Sequence, residues 1–141
     1  MMVSTRGRYA LRAMIDIAEH NHNIGKYITL KEIAERQEIS EKYLESILPA
    51  LTKADFLDGL RGKGGGYKLA RAPESYTVGS ILKLVEGNFA PVSCLAYAPV
   101  KCPRADKCPT LPMWQNFQAL VDGYFEGITL ADLCNRARDE I

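Results

Sequence analysis

Long apolar runs are absent from this 141-residue chain: no stretch approaches the roughly 20 apolar residues that a membrane span needs. The opening residues, Met1-Met2-Val3-Ser4-Thr5-Arg6-Gly7-Arg8, lack the apolar core of a secretion signal, so a cytoplasmic protein is expected. Charge of one sign is also lacking, since the net charge is only +1 and points by itself to no partner. There are no internal repeats and no low-complexity tracts, and an apolar content of 47% argues against disorder. No nucleophile–base set is evident, and His20 and His22 lie in a polar turn where solvation is the simplest reading. The chain is therefore read as a non-enzyme with no small-molecule substrate. The glycine run at 62–66 does not make a phosphate loop, because Lys63 precedes Gly64-Gly65-Gly66 and no Gly-Lys-Ser/Thr follows. A dinucleotide fingerprint fails as well, with Tyr67 standing where its third glycine belongs.

What is present is organised. Residues 1–72 hold 12 Lys/Arg against 9 Asp/Glu, whereas residues 73–141 hold 6 against 8, a distribution that suits nucleic acid at the front end. Tyr9, Ala10, Ala13, Met14, Ile17 and Ala18 recur at helical spacing, with Arg8, Arg12, Asp16 and Glu19 on other faces. Thr29-Leu30-Lys31-Glu32 is a capping box opening a short second helix that carries Leu30, Ile33 and Ala34 inward. A brief turn at 36–39 precedes Ser40, which can cap a third helix with the stripe Tyr43, Leu44, Ile47, Leu48 and Leu51. Pro49 lies inside that stripe and predicts a bend rather than a break. Residues 56–61 and 67–69 are strand-like around the glycine run, a hairpin directly after the two helices. The order describes a winged helix-turn-helix over 1–76.

Thr77 caps a fourth helix carrying Val78, Ile81, Leu84 and Val85, which Gly87 is placed to stop. Residues 88–112 contain five prolines and three cysteines and no period, and loops of this length are uncommon unless functional. From Met113 onward Trp114, Phe117, Leu120, Val121, Tyr124 and Phe125 make a strongly apolar helix, and a last helix starts at Thr129 with Leu130, Leu133 and Ala137 inward. The expected fold class is mainly α with a small β-hairpin, the back half over 77–141 holding the cysteine loop and dimerisation helices.

Three features carry chemistry. A recognition helix inserts its N-terminal side chains into the major groove, roughly 12 Å wide. Here Ser40, Lys42, Tyr43 and Ser46 are placed for phosphates or base edges, and Glu45 for accepting from cytosine. At the wing, Arg61 and Lys63 bring charge, and an arginine there suits a narrow minor groove. The second feature is Cys94, Cys102 and Cys108, three thiols on one loop that can wrap a soft metal or a cluster. Zinc commonly takes closer pairs than these, which places iron–sulfur ahead of zinc. Cys134, beside Leu133, reads as a core thiol. The third is the helix from Trp114 to Phe125, too apolar for a lone surface helix and best read as a two-fold interface.

Together these residues resemble the IscR-like family of winged-helix, iron–sulfur-cluster transcription regulators. The resemblance rests on Ser4-Thr5-Arg6-Gly7-Arg8-Tyr9-Ala10, on Ile39-Ser40 with Tyr43-Leu44-Glu45, on Arg61-Gly62 with Gly65-Gly66-Tyr67, on the cysteine loop, and on Ile128-Thr129-Leu130-Ala131-Asp132-Leu133. It implies a homodimer on double-stranded DNA, major-groove readout by the helix over 40–51, minor-groove insertion of Arg61 and operator selection through Glu45. It also implies a cluster on Cys94, Cys102 and Cys108, with 2Fe-2S placed ahead of 4Fe-4S. Three features depart from the family, the first being seven residues between Cys94 and Cys102 where the family's namesake has five. Leu111 stands where a histidine ligand often follows the last cysteine, and the first helix offers Arg8 and Arg12 where other members have an acidic ligand, so no fourth ligand is identified. A zinc-bound or metal-free winged-helix regulator, controlled by thiol chemistry or by a protein partner docking on the loop, is the alternative.

Overall fold

The computed structural model describes residues 3–21, 26–87 and 90–139, without the side chains of 135–139. His22 and the inward placement of Ala137 lie outside the described residues. Six helices and one hairpin follow one another: α1 (Thr5–His20), α2 (Leu30–Gln37), α3 (Glu41–Lys53), β1 (Leu57–Leu60), β2 (Gly66–Leu69), α4 (Val78–Glu86), α5 (Leu111–Glu126) and α6 (Leu130–Asp139). Short 3-10 turns lie at Pro73–Ser75, Ser93–Leu95 and Ala105–Lys107. No helix among the described residues is long and apolar enough to cross a membrane.

Local chemistry sets most element ends. The Thr29 hydroxyl accepts from Glu32 N–H at 3.1 Å while the Glu32 carboxylate accepts from Thr29 N–H at 2.9 Å, the reciprocal box that starts α2. The bond from Thr29 N–H to the carboxylate lowers the Glu32 pKa, because it favours the charged form. Ser40 and Thr77 cap α3 and α4, and Thr129 and Asp132 repeat the box ahead of α6. α1 begins earlier than the apolar spacing indicates, at Thr5, because the Ser4 hydroxyl accepts from Gly7 N–H and is itself held by Glu86 at 2.6 Å. The turn between α2 and α3 is made at Glu38, whose left-handed φ of 55° lets its N–H reach the Ala34 carbonyl. α3 runs through Pro49 without a break. α5 starts at Leu111, ahead of the apolar pattern, since Pro112 sits in the first turn, where a missing N–H costs nothing.

The core is assembled by α1, α2, α3 and the hairpin, with additions from farther along the chain. Ala10, Ala13, Met14 and Ile17 of α1 meet Ile33 of α2, Leu44, Ile47, Leu48 and Leu51 of α3, Leu57 and Leu69 of the hairpin, Tyr76, Ile81 of α4 and Leu130 of α6. Each large member contributes about 1.5–3 kcal/mol through removal from water. A satellite of Val78, Leu82 and Ile128 takes in Phe125, seating the end of α5. β1 and β2 pair antiparallel, Leu57 with Leu69 through Leu60 with Gly66. Ile28 adds a bridge to Tyr67, with bonds of 2.7 Å in each direction. Gly66 is required at that crossing, because its φ is 144° and a Cβ there would stand 2.3 Å from the Ile28 carbonyl oxygen.

One polar group departs from the expected outward face. Asp16 is fully buried, its carboxylate gripped by Arg36 through bonds of 3.0 and 2.8 Å and by Gln37 at 2.9 Å. A buried carboxylate needs such partners, and these fasten α2 to α1. Arg12 reinforces the joint through the Gln37 carbonyl and side chain. His20 is exposed and donates its Nδ1 hydrogen to the Asp16 carbonyl at 2.8 Å.

Candidate nucleic-acid interface and cysteine loop

At the start of α3 the side chains of Ser40, Glu41, Lys42, Glu45 and Ser46 are exposed, above a stripe in which Leu44, Ile47, Leu48 and Leu51 are buried. The Ser40 hydroxyl accepts from Tyr43 N–H at 3.1 Å, which leaves its own hydrogen free for a phosphate oxygen. Tyr43 is half-buried and packs edge-on against Tyr9 at 5.4 Å, so its ring is fixed and its edge faces outward only in part. Ser46 has already committed its hydrogen to the Tyr43 carbonyl at 2.6 Å and can serve a base only as acceptor. The Arg6 guanidinium, which the sequence pattern did not single out, donates to the Ser46 carbonyl at 2.7 Å and to its hydroxyl at 3.4 Å. Its position in the Thr5-Arg6-Gly7-Arg8 stretch was the only signal for that contact.

Arg61 and Lys63 are exposed at the wing, where Gly62 and Gly64 take φ values of 88° and 78° and leave the backbone uncovered. Between the wing and the second half of α3 lies a cleft of about 360 Å³ lined by Pro49, Thr52, Lys53, Leu60, Arg61 and Tyr67. Lys53 thus stands with Arg61, a second cation that the sequence did not mark out. Burial and the Glu45 carboxylate push the Tyr67 pKa up, while Arg61 opposes them. α3 and the wing therefore share one electrostatic neighbourhood around Tyr67, through Glu45 on the helix and Arg61 after β1.

The cysteine loop is built differently. Cys94 lies on a 3-10 turn, Cys102 precedes another and Cys108 ends it, and all three are half-buried. The Cys108 thiol faces Thr110 at 3.3 Å, and the bond from that hydroxyl, with the nearby Arg104 charge, lowers the Cys108 pKa. In donor chemistry, three thiols outside any disulfide, one of them acidified, fit a soft metal or iron–sulfur centre. Among the described residues no three Cys, His, Asp or Glu side chains stand together as a ligand set. Cys134, on α6, is half-buried rather than in the core. Beyond the loop, α5 has no buried residue. Met113, Phe117, Leu120 and Tyr124 recur along one face and are exposed, Leu120 by 73%.

Comparison with known proteins fits this geometry. Residues 3–136 match the family described as Rrf2, iron-dependent transcriptional regulator. The chain is 33% identical over 135 residues to the HTH-type transcriptional regulator IscR of Erwinia tasmaniensis, covering 96% of this chain and 79% of that protein. Among solved structures, T. potens IscR superposes with a TM-score of 0.78 at 34% identity, covering 99% of this chain and 90% of that one. CymR, the global cysteine regulator of B. subtilis, superposes with a TM-score of 0.75 at 32% identity, covering 96% and 97%. The family and the curated relative are named as transcriptional regulators and CymR as a regulator, and none of these names describes an enzyme. The chain belongs to the Rrf2 family and is an IscR-like, DNA-binding winged-helix transcription regulator.

Proposed function

We propose that this regulator works as a homodimer whose operator affinity responds to an iron–sulfur cluster held by Cys94, Cys102 and Cys108. The observation that carries the reading is the three-thiol loop running directly into an apolar helix face that the described residues leave exposed. Ser40, Lys42, Tyr43, Glu45 and Ser46 serve as the major-groove contacts and Arg61 and Lys63 as the wing contacts. The helix N-terminus adds its positive end toward phosphate. Met113, Phe117, Leu120 and Tyr124, at one face of α5, meet the same residues of a second copy across a two-fold axis. A bound cluster supplies a centre sensitive to iron supply, redox state or nitric oxide. Its occupancy shifts DNA binding only to the extent that the DNA-competent and incompetent arrangements hold it with different affinity. The acidified Cys108 and the likeness to a cysteine regulator favour a second reading, control by thiol chemistry without a cluster.

The test uses a duplex recovered by the anaerobically purified protein from a random-sequence pool. Cys102→Ala is expected to keep the thermal midpoint and to lose the difference in duplex affinity between protein handled anaerobically and protein exposed to air. An unchanged difference would contradict cluster control.

A further inference from the structure

Tyr76 is the largest fully buried side chain of the molecule's described part, yet it lies in an irregular stretch between β2 and α4. Its hydroxyl donates to the Phe56 carbonyl at 2.7 Å and accepts from the Ala70 and Arg71 N–H groups at 3.1 and 3.0 Å. Phe56 immediately precedes β1 and Ala70 immediately follows β2, so a single oxygen holds both feet of the wing. The direct backbone bond between those feet is long, 3.4 Å from Ala70 N–H to the Phe56 carbonyl. The anchor is itself fixed: its ring packs edge-on against Phe56 at 5.7 Å, and its carbonyl accepts from Leu130 N–H at 2.9 Å. Arg71 covers the joint, its guanidinium 5.2 Å from the Phe56 ring and 4.6 Å from the Tyr76 ring.

A two-stranded hairpin is marginal by itself in water. With four residues per strand and β1 exposed from Asp58 through Leu60, the hairpin is held by Leu57 and Leu69 in the core, by the Ile28–Tyr67 bridge, and at its feet by the Tyr76 hydroxyl. We infer that Tyr76 is a positioning residue for DNA binding, its hydroxyl fixing the wing so that Arg61 arrives at the duplex in register with α3. This rests on the reading of Arg61 as a DNA contact. Tyr76 touches no DNA and acts only through the wing.

The experiment measures affinity of the full-length protein for the selected duplex in four forms: wild type, Tyr76→Phe, Arg61→Ala and the double variant. Tyr76→Phe keeps the ring and removes only the hydroxyl. It should weaken binding roughly three- to tenfold, the scale of one or two net hydrogen bonds. In the Arg61→Ala background the same change should cost nothing further, because the group it positions is gone. A structural role alone would multiply the two losses, and that outcome overturns the proposal, as does wild-type affinity in Tyr76→Phe. Arg61→Ala without effect removes the wing contact and this proposal with it, whereas Arg61→Ala weakening alone removes only the role of Tyr76. If Tyr76→Phe does not fold, hydrogen exchange of the wild type decides. Amides of Ala70 and Arg71 exchanging as slowly as those paired within the hairpin support the latch, and rates of free amides overturn it.

Discussion

Residues 3–87 and residues 90–127 follow opposite rules. In the first region every helix spends an apolar face on a common core, and even the carboxylate of Asp16 finds a complete set of partners inside. In the second not one residue is buried, although it contains a 16-residue helix and large side chains at Met113, Phe117, Leu120 and Tyr124. A scattered exposed leucine needs no explanation, whereas a whole apolar helix face of this kind is the feature on which the proposed dimer rests. The front region is stabilised by its own core, completed by Ile128 and Leu130 from the end of the chain. The proposed function assigns the back region to a second copy and a cluster.

The comparison breaks first at the core. Ile47→Ala, at a fully buried position of α3, should cost about 2–5 kcal/mol in urea unfolding, on the scale of other large-to-small core changes. Leu120→Ala should leave the unfolding of the front region in place while lowering self-association in sedimentation. A comparable loss of front-region stability from Leu120→Ala would erase the distinction between the regions. Arg61→Ala is expected to weaken binding to the selected duplex by about 1–3 kcal/mol, with the fold intact by circular dichroism. A gentler probe is Thr29→Ala, which removes half of the α2 box and should cost about 1 kcal/mol.

The acidified thiol sharpens the back half of the comparison. Because the Thr110 hydroxyl favours the charged form of Cys108, the thiolate appears at lower pH than for an ordinary cysteine. Thr110→Val should therefore raise that pKa and slow alkylation of Cys108 at neutral pH, as read by mass spectrometry over time. Equal rates in both proteins would show that the hydrogen bond does not act in solution.

How much was legible follows from the range of each signal. Thr29 with Glu32, Ser40, Thr77 and Gly87 announce helix ends because cap and partner lie within a few residues of each other. The winged helix was legible for the same reason, since the glycine run sits between two apolar runs. Asp16 was read on an outer face because Arg36, its partner, lies 20 residues away on another helix. Arg6 was missed as a support of α3 because Ser46 is 40 residues distant. Tyr76 carried no signal at all, standing alone in a segment without period, and only three-dimensional placement shows that it holds the wing. Pro112 was read as loop, although the first turn of a helix tolerates proline. In the candidate site the sequence marked the cysteines and the α3 and wing residues as types. The acidity of Cys108 and the committed hydrogen of Ser46 depend on neighbours that the pattern does not specify.

The most direct test of the central claim is elemental analysis of the anaerobically purified protein, with iron, acid-labile sulfide and zinc measured per subunit beside the visible spectrum. Iron and sulfide together, both lost in Cys94→Ala, Cys102→Ala and Cys108→Ala, are the predicted result. Zinc without sulfide, or no metal under strict anaerobiosis, would contradict the cluster and leave a DNA-binding regulator governed by its thiols.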